Sequence, residues 1–462
     1  MTNVVLLPEA LLVAGAIAIL FAPRAWRPFL PPATAVLVLV ALGVELWAGA
    51  ATASYFGGAL LQDRFALFAK AAALLTAAVA VAATDWTSED SLQLGLAMPL
   101  LAAFGVMVAA SSADLLGLWA GLELAAAAGV VLVALRRPDL GLRLLVVGAI
   151  ASALILIGLA FVYATTGNAD LAAIRAVLTA QTPTLALAIP MLLLLAGLAL
   201  RAGLAPFHVG TLPIGVGASP LGAGLLIGLV AAAAAIVAVK LAAALIPIPA
   251  AYVPYAYTLS GLAMVGGGAS ALAVRSPRPR LAYLAVGQLG WVAAGLATHY
   301  RSGIAASLFL LGAFVVAATC GPALLGRAEG GEAAIHGFGI VRSARAAGLA
   351  LAMLSLAGAP PLAGFFGELA VAAALAQSGN FALLGVGLVG SILSVTAVVG
   401  TVRVLFIQSP LDESRRGSAL PAVTVFSTMG AVAFCLVVAG YGVFGYPILS
   451  LADQGAEALG LR

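Results

Sequence analysis

Apolar runs of roughly 20 residues follow one another from one end of the sequence to the other, the length needed to cross the hydrocarbon core of a bilayer. Inside lipid every backbone polar group must find its partner within the chain, so runs of this kind are helices. The composition agrees. The chain is 64% hydrophobic and only 8% charged, a balance that excludes a soluble domain. It reads as an all-α polytopic membrane protein. The net charge of +4 rests on loop arginines, so it bears on orientation and gives no reason to expect a nucleic-acid partner. The two cysteines, Cys320 and Cys435, lie in apolar runs without CxxC spacing and read as small core residues, not as a disulfide or a metal site. The start of the sequence has no basic region followed by a small-residue cleavage site, so it is read as a first membrane span and not as a removed signal.

About 14 spans are expected, near 5–22, 31–50, 64–83, 93–110, 114–135, 143–164, 186–208, 220–245, 254–274, 281–298, 303–325, 346–376, 382–406 and 421–446. The connections, such as 165–185 and 326–345, are too short for a soluble domain, and no long helix is expected after the last span. The chain is thus one membrane domain over 1–462. With an outside start, 13 arginines fall in inside loops, among them Arg24, Arg136, Arg280, Arg327, Arg345, Arg415 and Arg416, against four outside: Arg64, Arg175, Arg301 and Arg462. The positive-inside rule then puts both termini outside.

The stretch 196–220, AGLALRAGLAPFHVGTLPIGVGASP, organises this plan. It starts as membrane helix, buries Arg201 in an apolar run, and is broken at Pro206 before His208. A charge and a broken helix at membrane depth are both costly, and both are tolerated only against protein or a water-filled cavity. A second break lies at GAPPLAGFFGE (358–368), where Pro360 and Pro361 precede Glu368. Two broken spans in corresponding places point to two structural repeats with a path at their interface. The repeats are five spans long (spans 4–8 and 9–13, residues 93–245 and 254–406), and an odd number inverts the second copy. Three helices precede them in 1–92, and one follows at 421–446.

Few ionisable groups remain within the spans: Glu45, Lys70, Glu123, Arg201, His208, Lys240 and Glu368. Lys70 and Lys240 lie near span ends, where a lysine can snorkel to the surface. Asp114 sits where SSAD caps a helix, His208 can satisfy carbonyls freed by Pro206, and Glu45 lies near a span end. Glu123 and Arg201 resist such readings. Each costs roughly 3 kcal/mol when unpaired at mid-membrane, so the economical inference is that they pair. Glu368 has no charged neighbour in its own span and needs water or a distant partner.

At these residues the chain resembles the antiporter-like subunits of energy-converting NADH:quinone oxidoreductase, respiratory complex I, and among them subunit N (subunit 2). The matching stretches are LLPEALLVAGAIAIL (6–20), DRFALFAKAAALL (63–75), DLLGLWAGLEL (114–124), VVGAIASALILIGLAFVYATTGN (146–168), LAPFH (204–208), RLAYLAVGQLGW (280–291) and LSLAGAPPLAGFFGEL (354–369), in order. The resemblance implies 14 spans with spans 7 and 12 broken, and proton transport driven by electron transfer in other subunits. It implies roles for Glu123 as the span 5 glutamate and for His208 as the histidine of PFH. Arg201 stands where the family has a lysine. Val230 stands at the position of the family's span 8 lysine, Gln288 at its span 10 histidine, and Glu368 at the span 12 lysine of subunit N. Pro213 and Val216 stand in place of acidic residues after PFH.

Arginine stays protonated, so Arg201 can hold Glu123 ionised but cannot itself carry a proton. The expected path therefore runs through Glu123, Arg201, His208, Gln288 and Glu368, with Lys240 beside it and water bridging the gaps. Two alternatives stay open: a structural subunit that has lost pumping, and a subunit of a related membrane-bound hydrogenase or multisubunit cation/proton antiporter. There is no cysteine cluster for an iron–sulfur centre and no GxGxxG opening a βαβ unit, so no cofactor is expected in this chain. NADH, FMN, iron–sulfur and quinone are implied only in partner subunits. The expected setting is a bacterial inner membrane, with lipid, other membrane subunits and protons as partners. Sodium transport is not favoured, since no carboxylate cluster stands out.

Overall fold

A computed structural model describes residues 6–86, 91–180, 187–326, 335, 338–406 and 424–461. Arg327, Arg415, Arg416 and Arg462, and the first residues expected for the last span, lie outside the described residues.

The helices start where the sequence supplies a cap or a proline. Pro8 opens α1 (Leu7–Leu20), and Pro31 and Pro32 open α2 (Leu30–Ala48). Proline at the first turn removes a donor that would have had no partner there. Two short strands, β1 (Ala53–Tyr55) and β2 (Leu60–Gln62), pair antiparallel with Ala53 opposite Gln62. Asp63 and Asp114 accept backbone N–H groups at the starts of α3 (Arg64–Ala83) and α5 (Leu115–Ala134), on either side of α4 (Leu92–Ser111). α6 (Pro138–Thr166) stops at left-handed Gly167, and the short α7 (Leu171–Ala180) follows.

The first interrupted stretch comprises α8 (Ala188–Ala202) and α9 (His208–Gly217). α10 (Pro220–Gly224), a π-helical turn (Leu225–Val230) and α11 (Ala231–Ala244) form one continuous rod. Then come α12 (Pro249–Ala273), α13 (Pro277–Ala297) and α14 (Arg301–Leu325). After the single turn α15 (Phe338–Val341), α16 (Ser343–Leu356) and α17 (Ala363–Gln377) form the second interrupted stretch. α18 (Phe381–Phe406), α19 (Val425–Val443) and α20 (Gly445–Ala458) complete the order.

Nine helical segments among the described residues are long and apolar enough to cross a membrane. α1, α8, α16 and α17 are apolar but only 14 or 15 residues long, too short to cross alone. Glycine lets the rods touch. Gly105 of α4 and Gly121 of α5 face each other's backbones, and Gly267 of α12 meets the backbone of α13 in the same manner. Without a hydrophobic drive between helices in lipid, such close packing of small residues is what binds them. α14 is buried at every position from Gly303 to Leu325 and forms the centre of the bundle.

Several details depart from the sequence reading. The connection 165–185 contains α7, whose first turn is held by the Asp170 carboxylate accepting from Ala173 N at 2.8 Å. Span 8 carries the π turn in its first half. Residues 53–62 form a hairpin, and α20 follows α19. Arg301 donates to Asp453 at 2.6 Å and to Glu457 at 3.0 Å, which ties α20 to the start of α14. Arg280 and Arg345, counted as loop charges, are buried. Arg280 donates to Ala271 O, Val274 O and Thr401 Oγ1, and Arg345 to Ala323 O, Leu324 O and Ala83 O, so both satisfy carbonyls at helix ends.

Candidate functional site

The first break begins at Gly203, in left-handed conformation at φ 70°. Gly203 N donates to Leu200 O at 3.3 Å and Leu204 N to Ala199 O at 2.8 Å, closing the end of α8. This is a glycine C-cap, and it stops the helix two residues past Arg201. Pro206 lies in the gap before α9. The Arg201 guanidinium donates to the Glu123 carboxylate of α5 and to Gly148 O of α6 at 3.1 Å. A side chain at Gly148 would crowd Arg201 Nη1 at 2.8 Å, so glycine is what admits the guanidinium. Arg201 is 7% exposed and Glu123 31% exposed, so the pair lies at the margin of the chain, with its arginine end inward. Arg201 Nε is buried without a hydrogen-bond partner. Beside it lies a cavity of about 40 Å³, lined by Arg201, Thr211, Val230 and Ala285 among others. A water needs roughly 10–15 Å³ and polar partners, and the guanidinium and the Thr211 hydroxyl supply them.

The second break repeats this backbone. Gly358 has φ 70°, Gly358 N donates to Ser355 O at 3.2 Å, and Ala359 N donates to Leu354 O at 2.9 Å. Pro360 and Pro361 occupy the gap before α17. Here the chemistry is different. Glu368 of α17 folds back so that its carboxylate lies over Gly358, where any side chain would collide with it. Ser391 Oγ of α18 donates to Glu368 at 2.6 Å and accepts from Trp291 Nε1 of α13 at 3.0 Å. One turn earlier on α13, Gln288 Nε2 donates to Ser355 O at 3.0 Å, a second donor to the helix-end carbonyl that also accepts from Gly358 N. Gln288 Oε1 is buried without a partner.

The predicted residues therefore fall into groups. Glu123 and Arg201 are bonded directly. Gln288 and Glu368 sit on either side of the second break, and Glu368 has a hydroxyl as partner where the sequence offered none. His208, the first residue of α9, meets the Tyr283 ring of α13 edge-on at 5.9 Å; its Nδ1 is buried and satisfies no freed carbonyl. Lys240 neither snorkels nor lines the cavity beside Arg201. It is buried and donates to Ala110 O at 2.6 Å and Ser112 O at 2.5 Å, at the end of α4. Its span reaches the end of α4 with those carbonyls already facing it, so the ammonium has partners without reaching water. Asp114 is a cap, accepting from Gly117 N at 2.7 Å.

Sequence reasoning missed Ser391, Trp291 and Gly148, which are uncharged and common on apolar helices. It also missed a cluster at the other side of the bundle. Lys70 Nζ donates to Glu9 at 2.5 Å and to Gln62 Oε1 at 2.7 Å, and Gln62 Nε2 donates to Glu45 at 2.8 Å. The acidic residue in the first turn of α1 was the available signal.

A pair of broken helices, each with a carboxylate bonded across to another helix, is a recognisable design, and comparison with known proteins gives it a family. Residues 112–394 match the family model described as NADH:quinone oxidoreductase/Mrp antiporter, TM, a segment that spans both breaks. This chain belongs to that family. Over 98% of its length and 97% of the relative's, it is 29% identical to NADH-quinone oxidoreductase subunit N 1 of Rhizobium meliloti strain 1021. Among solved structures it is similar to a chain of respiratory complex I from Thermus thermophilus, with TM-score 0.80 and 24% identity over 96% of this chain and 99% of that one. It is equally similar in shape to a chain of the Mrp complex from Dietzia sp. DQ12-45-1b, with TM-score 0.81 and 19% identity over 99% and 98%. The shape is thus common to both branches of the NADH:quinone oxidoreductase/Mrp antiporter family, and the full-length sequence match lies with the oxidoreductase branch. The chain is an antiporter-like multi-pass membrane protein.

Proposed function

We propose that this chain is a proton-translocating membrane-arm subunit of an NADH:quinone oxidoreductase in a bacterial plasma membrane. The observation that carries the proposal is the pair of glycine-opened breaks, each with a carboxylate bonded across to another helix. Fourteen spans follow if α8 with α9 and α16 with α17 each count as one broken span. The repeats are then 93–245 and 254–406, inverted, after three N-terminal helices in 1–92 and before a last helix within 421–446. Both termini lie outside. NADH, FMN, iron–sulfur and quinone chemistry belongs to partner subunits, and this chain moves the proton.

Glu123 alternates between an ionised state clamped by Arg201 and a protonated state. Protonating it frees the guanidinium to turn towards the water-sized cavity. Arg201 supplies field and not a proton. Water in that cavity reaches α13, and Glu368 holds the proton at the second break, with the Ser391 hydroxyl as its gate. The apolar wall around Val230 favours a second reading, a structural subunit that seals the arm.

Proton pumping by vesicles of the parent complex carrying Glu123→Gln, with assembly followed on native gels, separates the two. Loss of pumping with intact assembly is expected. Unchanged pumping overturns the proposal in favour of the structural role.

A further inference from the structure

The cluster of Glu9, Glu45, Gln62 and Lys70 is not part of either break. Lys70, Gln62 and Glu45 are 1%, 2% and 0% exposed, while the Glu9 side chain is 12% exposed. Three helices and the hairpin build it: Glu9 comes from α1, Glu45 from α2, Lys70 from α3 and Gln62 from β2. Gly49 makes it tight. A side chain there would sit 2.6 Å from Glu45 Oε1 and 2.8 Å from Gln62 Nε2, so the two meet only because residue 49 is glycine. Gln62 Nε2 is also 3.2 Å from Gly49 O, which fixes the amide's direction, oxygen to Lys70 and nitrogen to Glu45.

The cluster has one cation for two carboxyls. Lys70 is in contact with Glu9, and that pair is neutral. Glu45 then hydrogen-bonds only to a neutral amide and feels the Lys70 and Glu9 charges from a distance, and its Oε2, like Glu9 Oε2, is buried with no partner. An ionised carboxylate in that position would be a buried, uncompensated charge, which costs several kcal/mol. The surrounding charges do not cancel it. Asp63, Asp114 and Lys240 lie around the same ends of α3, α4 and α5, and Tyr55 faces Glu9 from β1.

We infer that Glu9, Glu45, Gln62 and Lys70 form a proton-binding site, separate from the two breaks, that holds one exchangeable proton shared between two carboxyls. With Glu9 ionised, Lys70 serves Glu9 and the proton is on Glu45. When Glu9 takes a proton from water, Lys70 loses its partner. Its charge then acts on Glu45 through Gln62, and Glu45 returns its proton to water. One proton enters at Glu9 and one leaves from Glu45, so the charge of the cluster is unchanged, and Gln62 transmits orientation without carrying a proton itself.

The site is tested by pH-difference infrared spectra of the assembled parent complex in H2O and D2O, which read proton binding and not pumping, so the result is independent of the transport proposal. The carbonyl stretch of a protonated, deuterium-sensitive carboxyl is expected in the unaltered complex and is expected to be lost in Glu45→Gln, an isostere that still accepts from Gln62. In Glu9→Gln the band is expected to weaken at a given pH, because Lys70 is then left to Glu45. Identical spectra for the unaltered complex and Glu45→Gln overturn the assignment. Should Glu45→Gln fail to assemble, Glu9→Gln decides: a weakened band supports the shared proton, and an unchanged band overturns it.

Discussion

At 203 and at 358 the backbone does the same thing: a left-handed glycine ends one helix, two hydrogen bonds close its last turn, and prolines separate it from the next. The side chains set there differ. The first break holds a cation and an anion bonded across two helices, with Glu123 reaching the margin of the chain and water-sized space beside Arg201. The second holds a lone carboxyl turned back onto its own break, bonded to a hydroxyl that an indole in turn holds. One backbone device thus serves two electrostatic tasks. An ion pair is a fixed dipole that responds to a field. A carboxyl with a hydroxyl partner is a place for a proton.

If that contrast is right, the largest effect comes from halving the ion pair. Glu123→Ala leaves Arg201 buried alone and is expected to cost roughly 3–5 kcal/mol. Unfolding of the purified complex in mixed micelles reads it, and a cost below about 1 kcal/mol would show that Arg201 finds another partner. Next come the glycines. Gly203→Ala puts a side chain into the left-handed region and meets little beyond Thr211 Oγ1 at 2.9 Å, so about 1–2 kcal/mol is expected. Gly358→Ala carries the same conformational cost and also displaces the Glu368 carboxylate, so about 3 kcal/mol is expected along with lost pumping. Equal costs in the same unfolding assay would mean that Glu368 does not depend on the break.

Ser391→Ala removes two hydrogen bonds, the one donated to Glu368 and the one accepted from Trp291 Nε1, and is expected to cost about 1–2 kcal/mol. Its sharper readout is pumping at fixed electron flux, which should fall while the amount of assembled complex stays level. The smallest stability effect is expected for Glu368→Gln, within about 1 kcal/mol, since the amide still accepts from Ser391. Pumping measured on the same vesicles is nevertheless expected to be lost. A variant that pumps normally removes Glu368 from the path.

The first break was legible because Glu123 and Arg201 are charges in the middle of apolar runs, where few pairings are open to them. The second was legible by half. Glu368 and the prolines stand out, but Ser391 and Trp291 do not, because uncharged residues on an apolar helix cost little and so carry little information. Lys240 was misread for a physical reason. Distance from a span end gives access to the surface only if nothing nearer accepts the proton donors, and the carbonyls of Ala110 and Ser112 do. Arg280 and Arg345 show the same rule from the loop side: carbonyls at helix ends draw in cations that the sequence leaves outside. The hairpin had no signal, since three residues on each strand are too few for an alternating pattern. The π turn had none either, because it is decided by how α14 packs against it.

That packing sets how far a displacement can travel. Gly224 and Gly228, flanking the start of the π turn, lie against Thr319 of α14, and Gly367 of α17, one residue from Glu368, lies against Leu310 of the same rod. Protein interiors are close-packed and barely compressible. A rod buried along nearly its whole length cannot bend away from a push at one end, so the two contacts act as fixed points on a stiff beam. The span between Leu310 and Thr319 becomes a fixed mechanical length, with Gly367 seated at one end of it and Gly224 and Gly228 at the other.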